Sequence, residues 1–473
     1  MPPELAAAAI PAPPSKLAER LSAQIEAAIR ANGWPAGHSL GAEEELAAQY
    51  GASRAALREA IAIAEWNGLV ERRRGRDGGV FIAGFTLAGA VANLRNFLLL
   101  AGAGLPDLLL ARRLVEGRIL HLALERLDPG GRVALGRIAL GRLAGGASPD
   151  GDPRTRLDRL KTIVERQAAI AGSPALQLFG SALRHAFVDR VRTTGIDDSA
   201  YLAASTAVAD LRLAQVHAML EDDRQAARDL QTRALDLWES FIAAHPPGTL
   251  GGAAIVDRLC DPRHDALIYQ FVQPARRPEA LARAIAQGIA NRALAPGMKL
   301  GTEQLLIAEY AVSRRVLREG LRILESTGVV HTERGMRGGL VVAAARRDTL
   351  LTLLPRALGG APDAAALTLL PDLLRASAAA LADAPLAART AFADQMSGGR
   401  ADCAAQAASA TARATPDVPA GCLALMLLPH TAAGAAGSAR DLVIAIRDGN
   451  RPAAATLARR LAAPHASPPA SQP

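Results

Sequence analysis

Residues 40–82 read LGAEEELAAQYGASRAALREAIAIAEWNGLVERRRGRDGGVFI, and residues 300–342 read LGTEQLLIAEYAVSRRVLREGLRILESTGVVHTERGMRGGLVV. The two stretches align at a constant offset of 260 positions without a gap, the mark of a duplicated structural unit. Each predicts a short helix from Glu43 or Glu303 that turns Leu46 and Tyr50, or Leu306 and Tyr310, inward. A corner follows at Gly51-Ala52 and Ala311-Val312. Ser53 or Ser313 then stands where the next helix needs a side-chain acceptor for its free amides. That helix buries Leu57, Ile61 and Ala64, or Leu317, Leu321 and Leu324, at helical spacing, and stops at Gly68 or Gly328. Short β runs at 69–73 and 79–83, and at 329–333 and 339–343, are joined by arginine- and glycine-rich turns. Helix, corner, helix and hairpin make a winged helix-turn-helix, present twice.

The opposite face of the second helix carries the chemistry. Arg54 and Arg58 lie four apart, on one side of its N-terminal end, as do Arg314, Arg315, Arg318 and Arg322 in the second copy. A recognition helix presents that end to base edges in the major groove, where an arginine fork meets O6 and N7 of guanine together. A lone Arg-x-x-x-Arg is most often a solvated basic face. Here the pair follows a capped corner, precedes a hairpin and occurs twice, which favours DNA contact. The candidate DNA-binding residues are Ser53, Arg54, Arg58, Arg72, Arg74, Gly75 and Arg76, with Ser313, Arg314, Arg315, Arg318, Arg334, Gly335 and Arg337 in the second copy.

These residues resemble the DNA-binding module of the GntR family of bacterial transcription regulators. The resemblance rests on Gly37, Leu40, Glu43, Leu46, Ser53, Arg54, Leu57, Arg58, Glu59, Gly68, Val70, Arg74 and Gly75, and on Pro296, Gly297, Leu300, Glu303, Ser313, Arg314, Leu317, Arg318, Glu319, Gly328, Arg334 and Gly335. It implies a transcription regulator of the cytoplasm, commonly a repressor, whose partner is an operator in double-stranded DNA. One departure stands out. Glu44 and Gln304 occupy the position where the family usually has an arginine that helps hold DNA.

The whole chain has 473 residues, enough for about three domains, and half of them are hydrophobic while only 3% are aromatic. Abundant alanine and leucine favour helices, so the fold class is mainly α, with two winged modules alternating with two all-helical bundles. The net charge of +8 and pI near 10.0 suit a nucleic-acid partner. It is unevenly spread: residues 276–347 carry 13 arginines and lysines against 6 glutamates, residues 1–83 only 9 against 10 acids. Cys260, Cys403 and Cys422 show no paired spacing and fit a reducing, cytoplasmic setting. The N-terminal residues lack the basic start of a signal peptide. The uncharged run 418–439 is broken by prolines and glycines, so a buried helix plus a loop is expected there rather than a membrane span.

The expected order is a tail (1–15), a first winged module (16–84), a first bundle (85–245) of six or seven helices, a linker (246–277), a second winged module (278–345), a shortened second bundle (346–463) and a tail (464–473). Residues 106–116, 171–174 and 221–227 make the first bundle resemble the effector domain of the FadR subfamily, called FCD-type. That resemblance implies a metal on one Asp and three His. Alignment on the 172–174 and 222–223 corners puts Leu160, Val164, Arg212 and Ala234 at the ligand positions, so no metal and no cofactor are expected. His121, His185 and His217 read more simply as surface or core residues. A bundle of this size can still hold a small organic acid, with Arg112 or Arg113 facing its carboxylate, although a helix-surface pair with Glu116 is the simpler use of those arginines.

Two other functions compete with a metabolite-sensing regulator. A pyridoxal-phosphate enzyme fused to such a head needs a Schiff-base lysine, and Lys16, Lys161 and Lys299 are the only lysines, none well placed; no enzyme is expected. An architectural DNA-bridging protein without ligand sensing is the remaining alternative. Because one chain holds two unlike heads, its halves are expected to pair internally or with a second copy.

Overall fold

The computed structural model describes residues 17–32, 37–66, 69–73, 78–83, 87–140, 153–246, 248, 250–261, 275–292, 294–326, 328–333, 339–343, 362–397, 411–412, 415, 418–427 and 437–462. The chain divides into two compact units, residues 1–89 and 90–473.

The first unit is the first winged module. Helix α1 (Leu17–Asn32) buries Leu21 and Ile25; α2 (Glu43–Gln49) buries Leu46 and Ala47; α3 (Arg54–Trp66) buries Leu57, Ala60, Ile61 and Ala64. These side chains form one core with Leu69, Val70 and Val80. The expected hairpin is present as β2 (Val70–Arg73) and β3 (Gly79–Ile82), paired antiparallel from Val70 opposite Ile82 to Arg73 opposite Gly79. A third strand, β1 (Ser39–Gly41), adds to the other edge of β3, a pairing that three residues without alternating polarity did not signal.

The first bundle follows: α4 (Leu87–Leu100), α5 (Leu105–Glu125), α6 (Pro129–Ala139), α7 (Pro153–Ala171), α8 (Pro174–Thr193), α9 (Asp198–Leu220) and α10 (Arg224–Ala244). Their starts are built as the sequence dictates. Asp128, Ser173, Asp197 and Asp223 each accept a backbone amide of the first turn, and prolines stand at the heads of α5, α6 and α8. The stretch expected to be a linker instead holds a helix, α11 (Gly252–Cys260), whose Ile255, Val256 and Leu259 are buried against α8 and the next module.

That second module repeats the first: α12 (Arg277–Asn291), β4 (Lys299–Gly301), α13 (Glu303–Tyr310), α14 (Arg314–Ser326), β5 (Val330–Glu333) and β6 (Gly339–Val342), with the sheet again in the order β4-β6-β5. Its corner residue Ala311 takes a left-handed backbone (φ 48), where the first copy has Gly51 (φ +57). The second bundle follows as α15 (Ala364–Leu367), α16 (Leu370–Ala382), α17 (Leu386–Ser397), α18 (Val418–Leu427), α19 (Gly437–Arg447) and α20 (Arg451–Ala462). The corner between α19 and α20 turns on Gly449 (φ 70), which answers Asp222 (φ 62) between α9 and α10. Residues 364–382 are apolar and long enough to cross a bilayer, yet 61% of that stretch is buried inside the fold. Helix α18 occupies the uncharged run and is buried through Ala420 and Cys422 to Ala424; residues 428–439 of that run are described only from 437 onward.

The second bundle packs on the first, with α16 and α18 against α5. There the hydroxyl of Ser173, which caps α8, donates to Asp363, which caps α15, at 2.7 Å.

Candidate nucleic-acid interface and bundle cavity

Each recognition helix starts as the sequence requires. Ser53 Oγ accepts from the Ala56 amide at 3.2 Å, and Ser313 Oγ from the Val316 amide at 3.3 Å. With the helix fixed by its buried face, Arg54 and Arg58 project into solvent from α3, as do Arg314, Arg315 and Arg318 from α14. On α14 these three, with Arg322, surround a shallow basic concavity.

The neighbours of these arginines differ between heads. In the first, Arg54 pairs with Glu44 at 3.0 Å and Arg58 with Glu43 at 2.7 Å. In the second, Glu303 stands near both Arg314 (3.5 Å) and Arg318 (3.7 Å), while Arg315 pairs with Glu319 one turn on. Arg72, expected to face DNA, lies on β2 with its guanidinium held by Glu65 at 2.6 Å and Glu43 at 3.8 Å. Arg73, a member of the same basic wing cluster but outside the expected contact set, sits over the Phe81 ring at 4.3 Å and pairs with Glu71. Arg74, Gly75, Arg76, Arg334, Gly335 and Arg337, the expected wing-tip contacts, lie outside the described residues.

The first bundle holds a partly open cavity of about 50 Å³. Leu157, Leu160, Val164, Val208, Phe187 and Trp238 give it apolar walls, and Arg112, Arg184, Arg212 and Glu116 are its charged residues. Glu116 bridges two of the arginines: Arg112 donates to it at 2.8 Å and Arg212 at 2.5 Å. Arg212 also reaches Gln215 (3.2 Å) and Gln231, so its fork is filled from three sides. Burial alone would raise the Glu116 carboxyl, but Arg112, Arg212 and Arg184 override it and hold it down at about 2. Arg184 is different. It donates to Ser181 at 3.2 Å, while its buried Nε and Nη1 have no hydrogen-bond partner. Burial lowers its pKa to about 10, against the pull of Glu116.

Of the two arginines singled out from sequence, only Arg112 lines this cavity; Arg113 points to the bundle surface and pairs with Asp236 and Glu239, each at 2.6 Å. Arg184 escaped the sequence reading because nothing in its local pattern separates a cavity arginine from a surface one. Leu160, Val164 and Arg212 meet at the cavity and Ala234 is fully buried. Among the described residues no three or more His, Cys, Asp or Glu converge as a metal site would need. His185 is driven down to about 4, chiefly by burial and then by Arg95 and Arg184.

Comparison with known proteins bears on the two heads. The family profile of bacterial regulatory proteins, gntR family, matches residues 17–82 and 278–341. No curated protein matches the chain. Among solved structures, Streptococcus agalactiae GntR is 20% identical, over 47% of this chain and 99% of that one, with a TM-score of 0.29. A second, described as Lar, which controls the expression of the Listeria monocytogenes agr system and mediates virulence, is 15% identical over 49% of this chain and 99% of its own, with a TM-score of 0.19. At those scores the assignment rests on the two profile matches. They coincide with the two winged folds and their paired arginine faces: the chain carries, twice over, the GntR-type helix-turn-helix of bacterial DNA-binding transcription regulators.

Proposed function

We propose that this chain is a sequence-specific DNA-binding transcription regulator of GntR and FadR type, and that its first bundle senses a small organic anion. The observation that carries the first part is the repeated geometry of a serine-capped helix with two or three exposed arginines at its N-terminal end. The two heads differ, Ala55 standing where the other has Arg315, so the half-sites they read differ as well. Packing of the second bundle on α5, with the Ser173–Asp363 hydrogen bond, supports an internal pseudo-dimer that reads an asymmetric operator.

The FadR-type reading implies a metal in the first bundle, and the residues present do not fit one. Aliphatic side chains cannot ligate, and the Arg212 guanidinium repels a cation. What the cavity offers is a surplus of guanidinium over carboxylate, and a compact organic anion against Arg184 answers that surplus. At about 10–15 Å³ for each water-sized group, a cavity of about 50 Å³ admits a compact molecule and no long acyl chain, unless its walls move.

Selection of bound DNA from a random pool tests the main claim; recovery of unrelated sequences from successive rounds would reject it. Thermal shift with short carboxylates separates a sensor from an architectural protein, which no such ligand would stabilise. Light scattering that finds a stable dimer, together with a perfectly palindromic selected site, would reject the internal pairing.

A further inference from the structure

We infer that the first head is masked by its own carboxylates, and that Glu44 sets the unequal division of DNA binding between the two heads. This rests on the DNA-binding reading above and adds to it which head engages first.

The two copies serve as each other's control. Across residues 43–58 three glutamates accompany two arginines, whereas residues 303–318 hold two glutamates and three arginines. In the first head Glu44 pairs with Arg54 and Glu43 pairs closely with Arg58, Glu43 also reaching Arg72 at 3.8 Å. Glu45 is engaged separately, accepting the Ala42 amide at 3.1 Å to cap α2. In the second head the residue equivalent to Glu44 is the neutral Gln304, and one glutamate, Glu303, is shared between Arg314 and Arg318 at longer range. The second head also exposes Arg315 where the first has Ala55.

Two consequences follow for an approaching duplex. To present its fork to a base or phosphate, Arg54 must leave Glu44. Exposed pairs of this kind are individually weak, so the mask opens readily and does not lock. Once open, the Glu44 carboxylate remains beside the DNA, within a Debye length of the phosphates, and repels them. The acids at the start of α2 favour the helix through its dipole, so they suit the fold while opposing the ligand. The first head therefore binds only weakly alone. It closes on DNA that the second head already holds, because the tether turns its binding into an intramolecular step.

The test exchanges the two residues in the full chain. Glu44→Gln gives the first head the residue of the second, and Gln304→Glu does the reverse; both side chains are exposed, so folding is unaffected. Affinity is measured across salt concentrations on the DNA the parent protein selects. Glu44→Gln should tighten binding about three- to tenfold and steepen the plot of log K against log salt, and Gln304→Glu should weaken it by a similar factor. Footprinting of the parent should show one half-site protected at lower protein concentration than the other, and Glu44→Gln should narrow that gap. Unchanged affinity and slope in both exchanges would overturn the mask. Weaker binding by Glu44→Gln would also overturn it, since that outcome means the carboxylate accepts from a cytosine amino group. The paired variant Arg314→Ala/Arg318→Ala separates the two claims. If it too binds like the parent, the recognition-helix reading itself has failed.

Discussion

Arg283 of α12 meets Asp189 of α8 at 3.2 Å, with the two residues only 3% and 0% exposed. The second head and the first bundle are thus joined by a buried ion pair. Asp189 also faces Arg192 (3.4 Å) and Arg95 (3.6 Å), and Arg283 donates to Asn96 at 2.8 Å. Removal of Asp189 takes a shared carboxylate from three guanidiniums, whereas removal of Arg283 leaves Asp189 with two cationic partners. Asp189→Ala should therefore cost about 3–5 kcal/mol and Arg283→Met distinctly less. Chemical denaturation measures both, and equal losses would contradict this account of the cluster.

The corner of the second head holds a milder strain. Ala311 sits at φ 48 in the left-handed region, where the first head uses Gly51. A side chain there costs about 1–2 kcal/mol, partly offset by the greater freedom of glycine in the unfolded chain. Ala311→Gly should stabilise the protein by about 0.5–1 kcal/mol, and Gly51→Ala should destabilise it by a similar amount. Thermal or urea unfolding with opposite shifts in the two heads is the expected result.

Glu116 makes stability depend on acid. Its folded value of about 2 lies below the ordinary 4.5, so its ionised form is favoured by folding. That contribution is complete above about pH 4.5 and disappears as pH falls through about 2, each pH unit in that window being worth up to about 1.4 kcal/mol. Replacement by Gln should flatten the acid limb of the stability curve while lowering stability at neutral pH. A parent protein with no loss between pH 4.5 and 2 would refute the assignment.

Purified protein should carry no stoichiometric zinc, nickel or manganese, because Leu160, Val164, Arg212 and Ala234 offer no ligand. Elemental analysis that finds one tightly held ion per chain would reopen the histidines. Any stabilisation by a carboxylate should persist in the presence of a chelator.

The recognition helices make the last prediction. Arg54→Ala/Arg58→Ala and Arg314→Ala/Arg318→Ala should each weaken specific binding, by about 1–3 kcal/mol for each arginine that reads a base. Titration of each variant against the selected DNA measures the effect. It should be larger for the second pair, where a single glutamate stands near both arginines.

The winged modules were legible because their information is local. Ser53 and Ser313 announce the helix starts, and the spacing of Leu57, Ile61 and Ala64 shows the buried face. The helices of the first bundle follow from the same periodicity. Four things were not legible. Strand β1 is too short to carry a pattern, and α11 lies in a stretch whose prolines and glycines read as linker. The division of labour between Arg112 and Arg113 depends on which side of α5 meets α10, where Arg113 finds Asp236 and Glu239. Burial of the Asp189 cluster is set by packing between segments about ninety residues apart, which no local window contains.

The Arg283–Asp189 bond also bears on how such a protein can change its parts. A head that lends a buried guanidinium to its neighbour, and covers Thr193 with Gln287, has ceased to be interchangeable with other heads of its kind. Recombination at its boundaries, in evolution or at the bench, would leave a charged socket in the bundle and an unmatched arginine on the excised piece. The first head, by contrast, closes its core with its own side chains, from Leu21 and Ile25 to Val80, and forms a compact unit by itself.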